Sequence, residues 1–104
     1  MALISLEEAK TYLRVDADDE DALIGVLLSS AEKLCADVAR LSEEQWSAVN
    51  GTEDSEQLTS LRAVLRVAIL YALGYLYEHR EQADHHALTL TLRNLLFSVR
   101  EGIV

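Results

Sequence analysis

The amino-acid sequence predicts an all-α protein, a small bundle of about four helices around a central apolar helix. Proline is absent and glycine occurs only four times among 104 residues, so the chain lacks the many tight turns of a β-sandwich or barrel. Apolar residues recur every three or four positions along most of the chain, which is the period of an amphipathic helix. A chain of this length supports one core, and we expect residues 1–104 to form a single domain.

The net charge is strongly negative and uneven along the chain. Asp and Glu total 18 against 9 Lys and Arg, a formal charge of −9. Residues 1–60 contain 14 of the acids and 4 of the bases, and the remainder contains 4 and 5. Because affinity for nucleic acid comes mainly from Lys and Arg, we expect no tight binding to DNA. A surface of like charge would instead let DNA slide past.

The first half of the chain predicts two helices. A capping box that begins at Ser5 predicts a helix over about 6–14. After an acidic stretch, Asp18 is expected to cap a second helix over about 19–40. One face of that helix is apolar and comprises Leu23, Leu27, Ala31, Leu34 and Val38. The single cysteine, Cys35, falls within the same pattern and is interpreted as a small core residue.

The segment over about 41–57 has the weakest pattern. A second capping box, starting at Ser42, predicts one helical turn that carries Trp46. Asn50 and Gly51 are expected to end this turn, since both tolerate the left-handed conformation. Two interpretations of Trp46 stay open: a satellite of the core, or an anchor that faces a partner.

The third long helix, over about 57–81, is expected to form the structural centre. Across residues 63–77 only Arg66 is charged. A helix that is apolar on every face must be buried on every face, and the rest of the chain is short for that task, so we expect self-association. The uninterrupted apolar stretch 67–77 is too short to span a bilayer, and we predict no membrane partner. Gly74, in mid-helix, predicts the close approach of another helix.

The last segment has a mixed pattern. Leucines alternate between 88 and 92 as in a strand, but the wider spacing of the leucines over the whole segment fits a helix better. Because no other segment offers a partner strand, we predict a helix over about 85–100. We expect Asp84 to cap it and Gly102 to lie near its end.

Patterns for catalysis are missing from the sequence. No serine, cysteine or threonine lies on a glycine-flanked turn, and the glycines are too scattered for a phosphate-binding loop. His79, His85 and His86 are near one another but lack the spacing of zinc hydrolases. We therefore predict that the protein is not an enzyme and has no catalytic residue, cofactor or metal site. A metal-dependent enzyme that uses these histidines is one rival interpretation.

Two stretches of the chain carry a resemblance to a known family. Residues 6–16, Leu-Glu-Glu-Ala-Lys-Thr-Tyr-Leu-Arg-Val-Asp, followed by 18–24, resemble the opening of the head–tail connector (adaptor) family of tailed bacteriophages. That family also contains many prophage proteins labelled as DNA-packaging proteins. Residues 70–81 are similar to the family's apolar helix, which ends in a Tyr-Glu-Asn-Arg-Glu-like signature, although His79 stands where asparagine is usual. The family's closing segment is similar to Leu95, Leu96 and Arg100.

The resemblance implies a structural protein of virion assembly. Such a protein forms a ring under the portal protein, extends the DNA channel and docks the next head-completion or tail component. The ring is a cyclic homo-oligomer, a dodecamer in the virion, through which DNA passes without being tightly bound. The protein is expected to be made in the host cytoplasm and located at the head–tail junction. The rival interpretation is a small helical interaction module, regulator-like or antitoxin-like, with no role in a DNA channel.

Six residues are expected to contact other subunits or partners: Arg14, Asp16, Trp46, Tyr77, Glu78 and Arg80. On the connector interpretation, Tyr77, Glu78 and Arg80 position neighbouring segments or subunits at the end of the apolar helix. A local ion pair and a core tyrosine within one subunit remain an alternative for these three. For Arg14 and Asp16, a helix-end charge and a turn residue are equally open.

Overall fold

The fold is helical throughout the part of the chain that the computed structural model describes, which is residues 3–51, 55–79 and 85–97. These residues form five helices and no strand, and the all-α prediction is confirmed. The helices are α1 (Leu6–Leu13), α2 (Asp21–Ala39), α3 (Glu43–Val49), α4 (Glu56–Glu78) and α5 (His85–Leu95). The predicted cap at Asp84 and helix end near Gly102 lie outside the described residues.

Serine side chains cap three of the helices. The Ser5 hydroxyl accepts a hydrogen bond from the backbone N–H of Glu8 at 3.1 Å, and Ser55 caps α4 in the same way. Ser42 and Gln45 form the complete reciprocal capping box at the start of α3. Each cap satisfies a backbone donor that the first helical turn leaves without a partner. The two caps predicted at Ser5 and Ser42 are thus confirmed.

The predicted cap of the second helix is wrong. α2 begins at Asp21, and the preceding Glu20 makes no side-chain capping bond. The Asp18 carboxylate instead lies 3.0 Å from the Lys10 ammonium, which is also 2.8 Å from Asp21. The Asp18 carboxylate is thus paired with an ionised donor of α1 rather than with the start of α2. Hydrogen bonds to Asp21 and then to Asp18 raise the pKa of Lys10.

The helical segment with Trp46 ends at Val49, so the predicted end at Asn50 and Gly51 is confirmed. Among the described non-glycine residues, however, left-handed backbone occurs at two arginines and not at Asn50. Arg14 follows α1 with φ 60°, and Arg40 follows α2 with φ 59°. At both helix ends the N–H of the next residue donates to the carbonyl five positions back, which is the Schellman motif. Asn50 has φ −86°, and its side-chain amide donates to the Trp46 carbonyl at 2.8 Å. That bond satisfies a terminal carbonyl of α3 without a left-handed residue at Asn50.

The core is centred on α4, which contacts the other four helices. Its buried side chains are Leu65, Ala68, Ile69, Ala72, Leu73 and Leu76. α2 supplies Ile24, Leu28, Ala31, Cys35 and Ala39, and the described end of the chain supplies Leu88, Leu92 and Leu96. Burial raises the pKa of the Cys35 thiol to about 12, with the Glu32 carboxylate acting in the same direction. The interpretation of Cys35 as a core residue is therefore confirmed.

By length and composition alone, α4 is also apolar enough to cross a membrane. The window that meets this test has a mean hydropathy of 1.3, and 28% of it is buried. Core helices of many globular proteins meet the same test. Arg62 and Arg66 of α4 donate hydrogen bonds to the backbone carbonyls of Val49 and Leu3. α4 also packs against α1, α2, α3 and α5. Such contacts are typical of the central helix of a bundle.

Candidate functional site

One side of α4 carries two arginines that lie one helical turn apart. The Arg62 guanidinium donates to the carbonyl of Val49, at the end of α3, over 2.9 Å. The Arg66 guanidinium donates to the Leu3 carbonyl at 2.6 Å and forms an ion pair with Glu8 of α1. Charge-assisted bonds of this kind are stronger than neutral ones. Both arginines therefore attach neighbouring segments of the same chain to α4.

Another side of α4 is apolar and uncovered. Ala63, Val67 and Tyr71 follow one another at intervals of four residues and so share one face, which we call the α4 strip. Val67 is 60% exposed and Tyr71 is 43% exposed. The described part of the single chain thus leaves one face of α4 exposed, and the self-association expected to cover it stays a prediction. The other segments that the structure describes do not cover this face, as the shortness of the chain led us to expect.

The α4 strip leads into a groove between the C-terminal ends of α1 and α4. The groove has a volume of about 620 Å³ and contains all four tyrosines of the chain, and we call it the tyrosine groove. Its lining residues are Tyr12, Leu13, Arg14, Tyr71, Gly74, Tyr75, Tyr77, Glu78 and His79. Aromatic side chains at this density are typical of surfaces that bind other proteins.

Gly74 forms part of the groove floor and lets α1 approach α4. A Cβ atom added at Gly74 would lie 3.2 Å from Cε2 of Tyr12, which is tighter than an ordinary contact. The predicted close approach of another helix at Gly74 is thus confirmed, and the approaching group is the Tyr12 ring. On the neighbouring turn, Tyr75 stacks on His79 with ring centroids 4.3 Å apart. These contacts hold the rings in place around the groove.

Three of the six predicted interface residues meet in the tyrosine groove: Arg14, Tyr77 and Glu78. The Tyr77 hydroxyl donates to a carboxylate oxygen of Glu20 at 2.9 Å and so ties the end of α4 to the start of α2. Glu78 is exposed. No hydrogen bond or ion pair of the Arg14 side chain is found within the described residues. Arg80 lies outside that part of the chain.

The other two predicted residues lie elsewhere. Asp16 is exposed in the turn after α1 and does not line the tyrosine groove. Trp46 packs against the core and also lines a second groove of about 510 Å³, together with the acidic residues Glu32, Asp37 and Glu43. Burial raises the pKa of the Glu32 carboxyl. Because Trp46 contacts both the core and this groove, both of its interpretations stay open.

Sequence reasoning missed Tyr12, Tyr71 and Tyr75 as groove residues. A signal for them was present in the composition: the chain has only six aromatic residues and four are tyrosine. Tyr71 and Tyr75 are also spaced by one helical turn, which places them near one another. The position of Tyr12 depends on how α1 packs on α4, and helical spacing alone does not supply that.

Comparison with known protein families identifies the class of protein. The family model for phage gp6-like head-tail connector proteins matches residues 3–103. The chain belongs to this family. The resemblance drawn from residues 6–24 and 70–81 is thereby confirmed. No curated protein and no solved structure matches the chain.

Membership in the connector family establishes the coarse function. The protein is a structural component of the phage virion at the head–tail junction, and it interacts with other head and tail components. Connector proteins are structural rather than enzymatic. In the part of this connector that the structure describes, no group of three or more His, Cys, Asp and Glu side chains is placed to hold a metal ion. The tyrosine groove and the α4 strip are two candidate contact surfaces of this connector.

Proposed function

We propose that residues 1–104 act as one connector domain that assembles into a ring under the portal protein. The ring, a dodecamer in the virion, extends the DNA channel and docks the next head-completion or tail component. The observation that supports this proposal is the uncovered α4 strip on a member of the connector family. Ring closure needs a surface on each copy that meets a different surface on the next, and an apolar strip gains stability when a neighbour covers it.

The distribution of charge supports a channel through which DNA moves without sticking. Net charge is −9, and the described cations Lys10 and Arg66 are paired with carboxylates. Arg62 is held by backbone carbonyls of α3 and the following turn. Tight binding to DNA would require several free Lys or Arg side chains on one surface. We therefore expect DNA to pass through the ring unbound.

The cellular setting follows from the same proposal. The chain is made in the host cytoplasm and joins the virion when the portal vertex is completed. Its partners are then other copies of itself, the portal protein and the downstream head-completion or tail protein.

Size-exclusion chromatography with multi-angle light scattering, over a wide concentration range, tests the ring. A discrete mass that matches a large ring, alone or after mixing with the portal of the same phage, supports the proposal. The Val67→Glu variant should lose that species because it places a charge in the α4 strip. Gln57→Glu, which adds the same charge at an exposed position on a different face of α4, is the matched control and should retain it. A dimer that persists at every concentration and with the portal would instead indicate a small interaction module.

A further inference from the structure

We propose that the tyrosine groove binds a Lys or Arg side chain from a neighbouring head or tail protein. This inference deepens the proposed docking role by naming the chemistry of the contact. The source of the basic side chain rests on the proposed function, whereas the binding chemistry rests on the groove alone.

The tyrosine rings provide the first argument. All four tyrosines line one groove of about 620 Å³, and Tyr12 and Tyr71 are 48% and 43% exposed. The face of a tyrosine ring carries a partial negative charge that attracts an ammonium or guanidinium group. The apolar stem of a lysine or arginine can pack against the same rings while its charged end stays near water. A long basic side chain therefore suits this groove.

The helix ends provide a second argument. α1 ends at Leu13 and α4 ends at Glu78, and both residues line the groove. The C-terminal end of a helix carries partial negative charge from its unpaired carbonyls. α4 has no basic residue in its last turn, and the basic residue in the last turn of α1, Lys10, is paired with Asp18 and Asp21. The exposed Glu78 carboxylate adds a full negative charge.

One group in the groove opposes the binding of a cation. Arg14 lines the groove and has no ion pair within the described part of the chain. Its charge repels an incoming Lys or Arg, so its removal should strengthen binding. Glu78 acts in the opposite direction, so its removal should weaken binding. These opposite signs make the inference easy to test.

Charge complementarity favours a basic partner for the groove. A basic segment of another protein is attracted to a chain with a net charge of −9, whereas an acidic segment is repelled. The groove itself, with the negative ends of two helices and Glu78, favours the same kind of partner. We therefore assign the groove to a heterologous partner and the α4 strip to contact between copies.

Two short peptides with blocked ends test the inference by nuclear magnetic resonance with 15N-labelled protein. The probes are Gly-Ser-Arg-Ser-Gly and Gly-Ser-Gln-Ser-Gly, which differ only in the charged side chain. We expect the arginine peptide to shift the amide signals of Tyr75 and Glu78 in a saturable way, with affinity roughly two- to fivefold above that of the glutamine peptide. Lysine in place of arginine should give the same preference.

Two variants and one control complete the test. Glu78→Gln should reduce the affinity for the arginine peptide roughly two- to fivefold, because Glu78 is the acidic residue among the described lining residues. Arg14→Gln should increase that affinity by a similar factor. Glu44→Gln, which removes an exposed carboxylate from α3 outside the groove, should leave the affinity unchanged.

The inference is overturned if the two peptides shift the groove signals equally, if the shifts lie elsewhere on the protein, or if Glu78→Gln and Glu44→Gln behave alike. Light scattering on the same samples keeps the two proposals separate. A ring with no preference for the arginine peptide would retain the proposed function and reject this inference. An arginine preference in a protein that never forms a ring would retain this inference and reject the proposed function.

Discussion

Two sides of α4 differ in what their side chains contact. On one side Arg62 and Arg66 are directed into the bundle, where they bind backbone carbonyls and Glu8. On the other side Val67 and Tyr71 remain exposed. An ordinary surface helix places charges outward and apolar groups inward. α4 also buries apolar groups, but its arginines hold segments of the single chain together and its apolar strip is available to another molecule.

The largest difference between the two sides should appear when apolar side chains are shortened. Ile69 is fully buried and Val67 is 60% exposed on the same helix. We expect Ile69→Ala to reduce the free energy of unfolding by about 2–5 kcal/mol, because it leaves a cavity in the core. Val67→Ala should change that free energy by less than roughly 0.5 kcal/mol. Urea denaturation followed by circular dichroism measures both, and equal losses would contradict the comparison.

The arginine side can be tested through Arg66. Arg66→Gln removes the ion pair with Glu8 and the hydrogen bond from the guanidinium to the Leu3 carbonyl. Because both charged groups are partly exposed, we expect a loss of only about 1–2 kcal/mol in the free energy of unfolding. The control is Arg93→Gln, which changes an exposed arginine on α5 and should cost less than roughly 0.5 kcal/mol. Matching losses would show that Arg66 contributes only surface charge.

A smaller effect is expected at the two glycines within helices. A Cβ at Gly25 of α2 would meet nothing within 4 Å, whereas one at Gly74 would press on Tyr12. Gly25→Ala should stabilise the protein by about 1 kcal/mol through helix propensity. Gly74→Ala should gain less, since part of that energy is used to displace the Tyr12 ring. Thermal unfolding measures the difference, and equal gains would mean that Gly74 is not needed for the contact with α1.

The smallest effect is expected at the left-handed end of α2. Arg40 has φ 59°, a conformation that glycine adopts without steric cost. Arg40→Gly should therefore stabilise the chain, by about 0.5 kcal/mol after the greater chain entropy of glycine is counted. Arg40→Ala keeps the strain and serves as the control. Chemical denaturation of the two variants measures the gain, and a loss with glycine would show that the arginine side chain itself stabilises the helix end.

The features that could be predicted from the sequence are local ones. Ser5 and Ser42 cap their helices through a residue three positions on, so a short motif contains both partners. Asp18 looked like a similar cap, but Lys10, eight residues away, is its partner. Glu8 pairs with Arg66, 58 residues away, and no local pattern indicates that pairing. Long-range partners depend on how helices pack, and periodicity does not fix this.

The candidate site likewise combines residues that a local sequence pattern indicates with residues that only helix packing brings together. Tyr77 and Glu78 were identified from the resemblance of one continuous stretch to the connector family, and both line the tyrosine groove. Tyr12 joins them only because α1 packs over Gly74, which is 62 positions further along the chain. Arg14 is predicted as an interface residue, with a helix-end charge as an open alternative, and in the structure it is the left-handed residue that ends α1. Its place in the groove follows from the same packing of α1 on α4.

The construction of the groove from both halves of the chain has a consequence for its dynamics. α1 has eight residues and a single buried side chain, Ala9, so its stability as a helix depends on its contacts with α2 and α4. A short unit of this kind detaches by local opening more readily than the core helices do. Each opening of α1 removes Tyr12 from Gly74 and dismantles the groove while the core stays folded. Amide hydrogen exchange in α1 therefore reports how often the groove that we propose for docking is formed.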